Sequence, residues 1–182
     1  MKNKHHSKTI LKIIFYITII ILVLVINQKN LAKTQISHKN YQQKIIGPAR
    51  VVDGDTIIIN KSRIRLLNID SAESKQNCYD KDNIVYPCGL EATSFLKKLI
   101  GGKEIYCLYS KKDIYERVLG ECFLGSLNIN NEMVKNGMAV IYSYNRASKE
   151  LIDSRQYAKD NKLGLWQGSF EIPRDYRKRT KR

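Results

Sequence analysis

Four acids and two arginines carry the chemistry open to this chain. VVDGDTIII holds Asp53 and Asp55, RIRLLNIDSAES holds Arg65, Asp70 and Glu73, and YERVLG holds Arg117. Clustered carboxylates take hard cations through oxygen. Arginine offers a fixed fork of donors that matches phosphate geometry. The combination predicts metal-assisted attack on a phosphodiester, because an ordinary β-domain has little reason to collect both groups in one place.

The elements that must position these residues are legible in outline. KIIGPARVV, TIIINK and RIRLLNI are short runs rich in Ile, Val and Leu, with turn chemistry at Asp53-Gly54 and Asn60-Lys61. GLEATSFLKKLI has its apolar residues at helical spacing, and Gly101-Gly102 ends it. KEIYCLYS and YERVLGECFL read as a strand pair, INNEMVKNG as a short helix closed by Gly137, and MAVIYSY as a strand. SKELIDSRQYAKDNKLG reads as a helix capped by Ser148 and ended by Gly164. Strands at this spacing with helices between them predict a small closed barrel of the OB type, an α+β fold.

Charge is concentrated at the ends of the chain. The net charge is +15, yet residues 1–43 hold seven Lys and no acid, and residues 171–182 hold six Lys or Arg against two acids. The folded centre is therefore only mildly basic. The ends predict a membrane-topology signal and a polyanion-binding or solvated C-terminal tail over 171–182.

Lys2, Lys4, Lys8 and Lys12 precede the apolar run 13–26, an order that keeps the N-terminus in the cytoplasm and exports the rest of the chain. That run covers about 21 Å as a helix against a bilayer core of roughly 30 Å. Counting from Ile10, with Lys12 snorkelling, it approaches the lower limit for a span. A small-x-small cleavage site is poorly formed, since Asn30 stands two positions before Ala32. Residues 1–27 are thus a signal-anchor or a signal peptide, with the anchor favoured, and 10–26 is the membrane contact if uncleaved. Residues 28–43 are a polar linker, and 44–170 form the domain.

Four cysteines agree with export. Cys78 and Cys88 flank one polar loop, and Cys107 and Cys122 lie in neighbouring strands, so Cys78–Cys88 with Cys107–Cys122 is the connectivity expected of the three possible. Zinc and thioredoxin-like chemistry are disfavoured, because no C-x-x-C spacing occurs.

From Lys44 to about residue 168 the chain resembles the staphylococcal nuclease (thermonuclease) family. The resemblance rests on DGDT, R-L-L-x-x-D-x-x-E, the GLEATSFLKKLI helix, D-x-Y-x-R, EMVKNGMA and LGLW, all in order. It implies a five-stranded OB barrel and calcium-dependent cleavage of DNA and RNA. Asp55 and Asp70 match the metal-ligand carboxylates, and Ser71 matches the position whose backbone carbonyl reaches the metal. Asp53 would stand behind them or shape the turn. Glu73 matches the general base, and Arg65 and Arg117 match the phosphate-binding arginines. Tyr115, Tyr142 and Tyr144 match nucleotide-stacking positions, and Trp166 is expected to pack the last helix on the barrel.

Two departures stand out. Glu116 replaces the glycine that usually precedes the second arginine, and Ala72 stands where proline is frequent. The favoured function is an exported, sugar-nonspecific, monomeric nuclease. The alternative is an exported OB-type module that binds nucleic acid without cutting it, for example in DNA uptake.

Overall fold

The computed structural model describes residues 15–21 and 41–180. Residues 1–40 and 41–182 form separate units. In the first, residues 15–21 are helical. Among the described residues, no helix is long and apolar enough to cross a membrane. Most of the expected 10–26 span and of the 28–43 linker lies outside them.

The second unit begins with β1 (Gln43–Pro48), β2 (Arg50–Asp53), β3 (Thr56–Ile59), β4 (Ser62–Leu66) and β5 (Ile69–Ser71). The three apolar runs therefore give five strands. The first run breaks at Ala49 between β1 and β2, and Leu67-Asn68 separate β4 from β5, with Asn68 at φ 66°. Asn60 and Lys61, at φ 50° and 69°, make the tight turn between β3 and β4. A small hairpin comes next, β6 (Cys78–Tyr79) with β7 (Val85–Tyr86), and then helix α1 (Cys88–Ile100). Gly101 ends α1 at φ 60°, its N–H on the Lys97 carbonyl.

The remaining elements are β8 (Glu104–Lys112), β9 (Val118–Leu124), β10 (Leu127–Asn128), α2 (Ile129–Lys135), β11 (Ala139–Ile141), α3 (Lys149–Asp160) and α4 (Pro173–Thr180). Ser148 caps α3 by accepting from Leu151 N–H at 3.2 Å. That helix ends at Asp160, earlier than Gly164, which opens a 3-10 turn at 164–167. Residues 171–182, expected as a tail, instead contain α4.

The main sheet runs β1-β8-β9-β4-β3-β2, with β10 on β9, and curls into a half-barrel consistent with the OB fold. Its pairs are antiparallel except β4 with β9. β5 and β11 pair separately. Ile57, Ile59, Ile64 and Leu66 from β3 and β4 meet Leu96 and Ile100 of α1 and Met133 and Val134 of α2 in the core. Each such aliphatic side chain contributes about 1.5–3 kcal/mol on burial. The alternation of β4 sends Ile64 and Leu66 into this core and leaves Arg65 on the opposite face. Both expected disulfides are present, Cys78–Cys88 and Cys107–Cys122, the second joining directly opposed residues of β8 and β9.

Candidate active site

The DGD turn is built around its own side chains. Asp53 Oδ1 accepts from Asp55 N–H at 3.1 Å, closing the turn locally. Gly54 packs so tightly that a Cβ there would sit 2.1 Å from Ser71 Oγ, so only glycine lets the turn approach β5. The turn thereby sets Asp55 beside Ser71, whose N–H donates to Asp55 Oδ2 at 3.2 Å. Ser71 Oγ donates to the Met138 carbonyl at 3.0 Å.

Arg65 joins the two acids. Its Nη1 donates to Asp55 Oδ1 at 2.9 Å and its Nη2 to Asp70 Oδ1 at 2.6 Å. Both carboxylates are buried, with residue exposures of 5% and 1%. Burial pushes the Asp55 carboxyl up to about 6, against the opposing pull of Arg65. The ionised form of this buried acid is therefore short of positive charge.

Glu73 lies in the loop after β5, where three features fix it. Its N–H donates to Gln76 Oε1 at 3.2 Å, and Gln76 N–H donates back to the Glu73 carbonyl at 2.7 Å. Gly89 on α1 lies so close that a Cβ would fall 1.8 Å from the Glu73 carbonyl oxygen. The Cys78–Cys88 bridge ties the end of this segment to the start of α1. Ala72 is buried in the same small apolar cluster as Cys78 and Cys88. This packing holds the loop at the position where proline is often found.

One arginine reaches this cluster from an unexpected direction. Arg177 on α4 donates from Nη1 to Asp70 Oδ1 at 2.9 Å and to Glu73 Oε1 at 2.7 Å, and from Nη2 to Asp70 Oδ2 at 3.0 Å. Burial alone would lower its pKa, but the bonds to Asp70 and Glu73 hold the guanidinium more firmly charged than usual. Sequence reasoning missed Arg177 because it sits in a run of like charges. The available signal was Pro173, a helix-start residue just after Ile172. Gln76 and Gly89 were missed because their work is contact with Glu73, which no local pattern reveals.

The remaining site residues lie outside this cluster of contacts. Arg117 pairs with Asp113, its Nε and Nη2 at 2.8 and 2.7 Å from Oδ2, and lies 5.5 Å from the centre of the Tyr115 ring. Glu116 takes φ 60°, the conformation that glycine accepts most easily, and pairs with Lys112 at 2.9 Å. Tyr115, Tyr142 and Tyr144 are exposed. Trp166 lies beneath Arg155 and Lys159 of α3, as expected for a residue packing that helix. A cavity of about 480 Å³ between residues 75–79 and α4 is lined by Glu171 but by none of Asp53, Asp55, Asp70 and Glu73.

Oxygen donors of Asp55 and Asp70, two buried acids bridged by one cation, suit a hard metal ion that completes its shell with carbonyl and water oxygens. Among the described residues, no group of three or more acid, imidazole or thiol side chains is placed to hold a metal ion.

Buried acids and arginines meeting on an OB-type α+β fold form a site suited to phosphate chemistry. A family model of staphylococcal nuclease homologues matches residues 63–168. An uncharacterized endonuclease of Escherichia coli is 34% identical over 129 residues, covering 68% of this chain and 78% of its own length. A succinoglycan biosynthesis protein of Rhizobium meliloti is 34% identical over 132 residues, covering 71% and 68%. A thermonuclease of Staphylococcus intermedius is 33% identical over 127 residues, covering 65% and 73%. The chain belongs to the staphylococcal nuclease family. It is a phosphodiester-hydrolysing nuclease, with nucleic acid as its substrate.

Proposed function

We propose that the protein is an exported, calcium-dependent nuclease that cuts DNA and RNA with little sequence preference. The observation that carries this reading is the pair of buried acids, Asp55 and Asp70, bridged by the Arg65 guanidinium and flanked by Glu73. Asp55, Asp70 and the carbonyl of Ser71 would hold the cation. When bound, it polarises a phosphoryl oxygen and offsets negative charge that develops there.

The chain's own residues do the rest. Glu73 accepts the proton of the attacking water, whose oxygen forms the new bond to phosphorus as the bond to the leaving oxygen breaks and that oxygen takes a proton from solvent. Arg65 presents fixed donors toward the phosphate, already oriented by two acids. Arg117, held by Asp113, supplies the second guanidinium. Tyr115, Tyr142 and Tyr144 stack on bases, which tolerates any sequence. Export is supported by the basic-then-apolar order of the N-terminus and by the two disulfides.

The test is cleavage of single-stranded and duplex DNA and of RNA by the oxidised full chain in mild detergent, with calcium, magnesium or chelator. Calcium-dependent cleavage, abolished by chelator and reduced roughly 10²-fold or more in Glu73→Gln, is expected. Tight binding without cleavage in any cation would refute the reading.

A further inference from the structure

We propose that Arg177 is a further positioning residue of this site. It holds Asp70 and Glu73 in the cation-free protein and gives Asp70 up to the divalent cation, so helix α4 sets how tightly the site takes metal. The inference rests on the metal-dependent reading above.

Helix α4 is anchored without Arg177. The Ile172 carbonyl accepts from Asp175 and Tyr176 N–H at 2.8 and 3.0 Å, starting the helix behind Pro173. Tyr176 Oη donates to the Lys75 carbonyl at 3.1 Å, and Gln76 Nε2 donates to the Glu171 carbonyl at 2.7 Å. Both contacts fall in the loop that carries Glu73. The helix is therefore seated against the site by main-chain acceptors. Its other cations stay in solvent, whereas the Arg177 side chain is only 25% exposed.

The inward guanidinium uses both oxygens of Asp70 at once and shares Nη1 with Glu73. Asp70 Oδ1 also receives Arg65. A cation bound by Asp70 needs one of those oxygens, and a guanidinium against the same carboxylate repels it. Metal and Arg177 therefore compete for one acid. Release of the metal lets the helix return its charge to the site, which keeps the buried carboxylates partnered. Arg65 differs in kind. It bridges Asp55 and Asp70 from strand β4 itself, on the face opposite the core residues Ile64 and Leu66.

Competition has a measurable consequence. A latch closed in nine molecules of ten lowers apparent cation affinity about tenfold. The experiment is calorimetric calcium titration of the oxidised full chain in detergent, without nucleic acid, beside Arg177→Gln and Arg177→Lys. Near-ultraviolet circular dichroism checks that each variant is folded. Calcium should bind about tenfold tighter to Arg177→Gln. Arg177→Lys should fall between, because one ammonium cannot take both Asp70 oxygens.

Equal or weaker calcium binding by Arg177→Gln would overturn the proposal. That result is expected of an arginine that merely staples the helix, or of one that assists the cation through a shared phosphate. Absence of calcium binding in every form would overturn it as well. Tighter binding by a chain that cuts nothing would sink the proposed nuclease mechanism and leave the competition standing. Cleavage with unchanged calcium affinity would do the reverse.

Discussion

Asp55 gives the cation-free protein an unusual pH dependence. Its carboxyl is pushed from an ordinary 3.8 up to about 6, chiefly by burial, so the folded state prefers it protonated. The stability this lends is complete below the ordinary value and is lost as pH rises through about 6. A displacement of roughly two pKa units corresponds to about 3 kcal/mol at ~1.4 kcal/mol per unit. Asp113 works the other way. Burial would raise it, but the hydrogen bonds from Arg117 and Tyr115 leave it below the usual range, so its contribution is lost only as pH falls further. The two effects occupy different windows. Urea unfolding of the full chain in detergent with chelator, followed by Trp166 fluorescence, should therefore show stability falling by roughly 2–2.5 kcal/mol between pH 4 and 7. Asp55→Asn should flatten that slope whatever it does to absolute stability, and saturating calcium should reverse it in the unaltered protein. A flat or rising profile in chelator, or the same slope in Asp55→Asn, would refute the reasoning.

Three further outcomes test other parts of the site and fold. Arg65→Lys replaces a fork that reaches Asp55 and Asp70 together with a single ammonium, and turnover of nucleic acid should fall roughly 10²-fold while binding changes less. Glu116→Gly relieves a non-glycine residue at φ 60° and gives up only an exposed pair with Lys112, so stability in urea should rise by about 0.5–1 kcal/mol. Removing the Cys107–Cys122 bridge, which closes a separation of 15 residues, by the paired alanine variant should cost about 3 kcal/mol in the same assay.

The parts of this molecule that were legible in its sequence are those whose causes are local. The Asp53-Gly54 turn is an acid accepting from an N–H two residues on, joined to a close approach only glycine permits. The Ser148 cap and the Gly101 terminus are likewise decided within a few residues. The split of one expected strand into β1 and β2 was marked by Gly47-Pro48 just before Ala49, a signal passed over because Ile45 and Val51 both look like strand residues. The β6–β7 hairpin has two residues per strand, too short for any alternation to register. Helix α4 has no apolar stripe in RDYRKRT to announce a docked face. Its seat depends on main-chain carbonyls at Lys75 and Ile172 and on acids more than a hundred residues earlier, which composition cannot show. The Glu116 departure was visible, and the structure gives its physical content as a left-handed backbone.

The electrostatics of the cluster argue for a cation more strongly than the identity of any one ligand. Asp55 and Asp70 are buried and share a single guanidinium on β4, with Asp53 near enough to push Asp55 further up. Burying several carboxylates against one permanent charge is costly unless more positive charge arrives. Two features of the fold bear on that cost. Asp55 leans toward its protonated form, and Arg177 is drawn in from a different element to neutralise Asp70 and Glu73. A site that served only to hold the barrel together would do better with apolar residues in these positions. Acids kept this close, with a second guanidinium brought in from a separate helix, are an arrangement in which a divalent ion would gain affinity from the charge deficit.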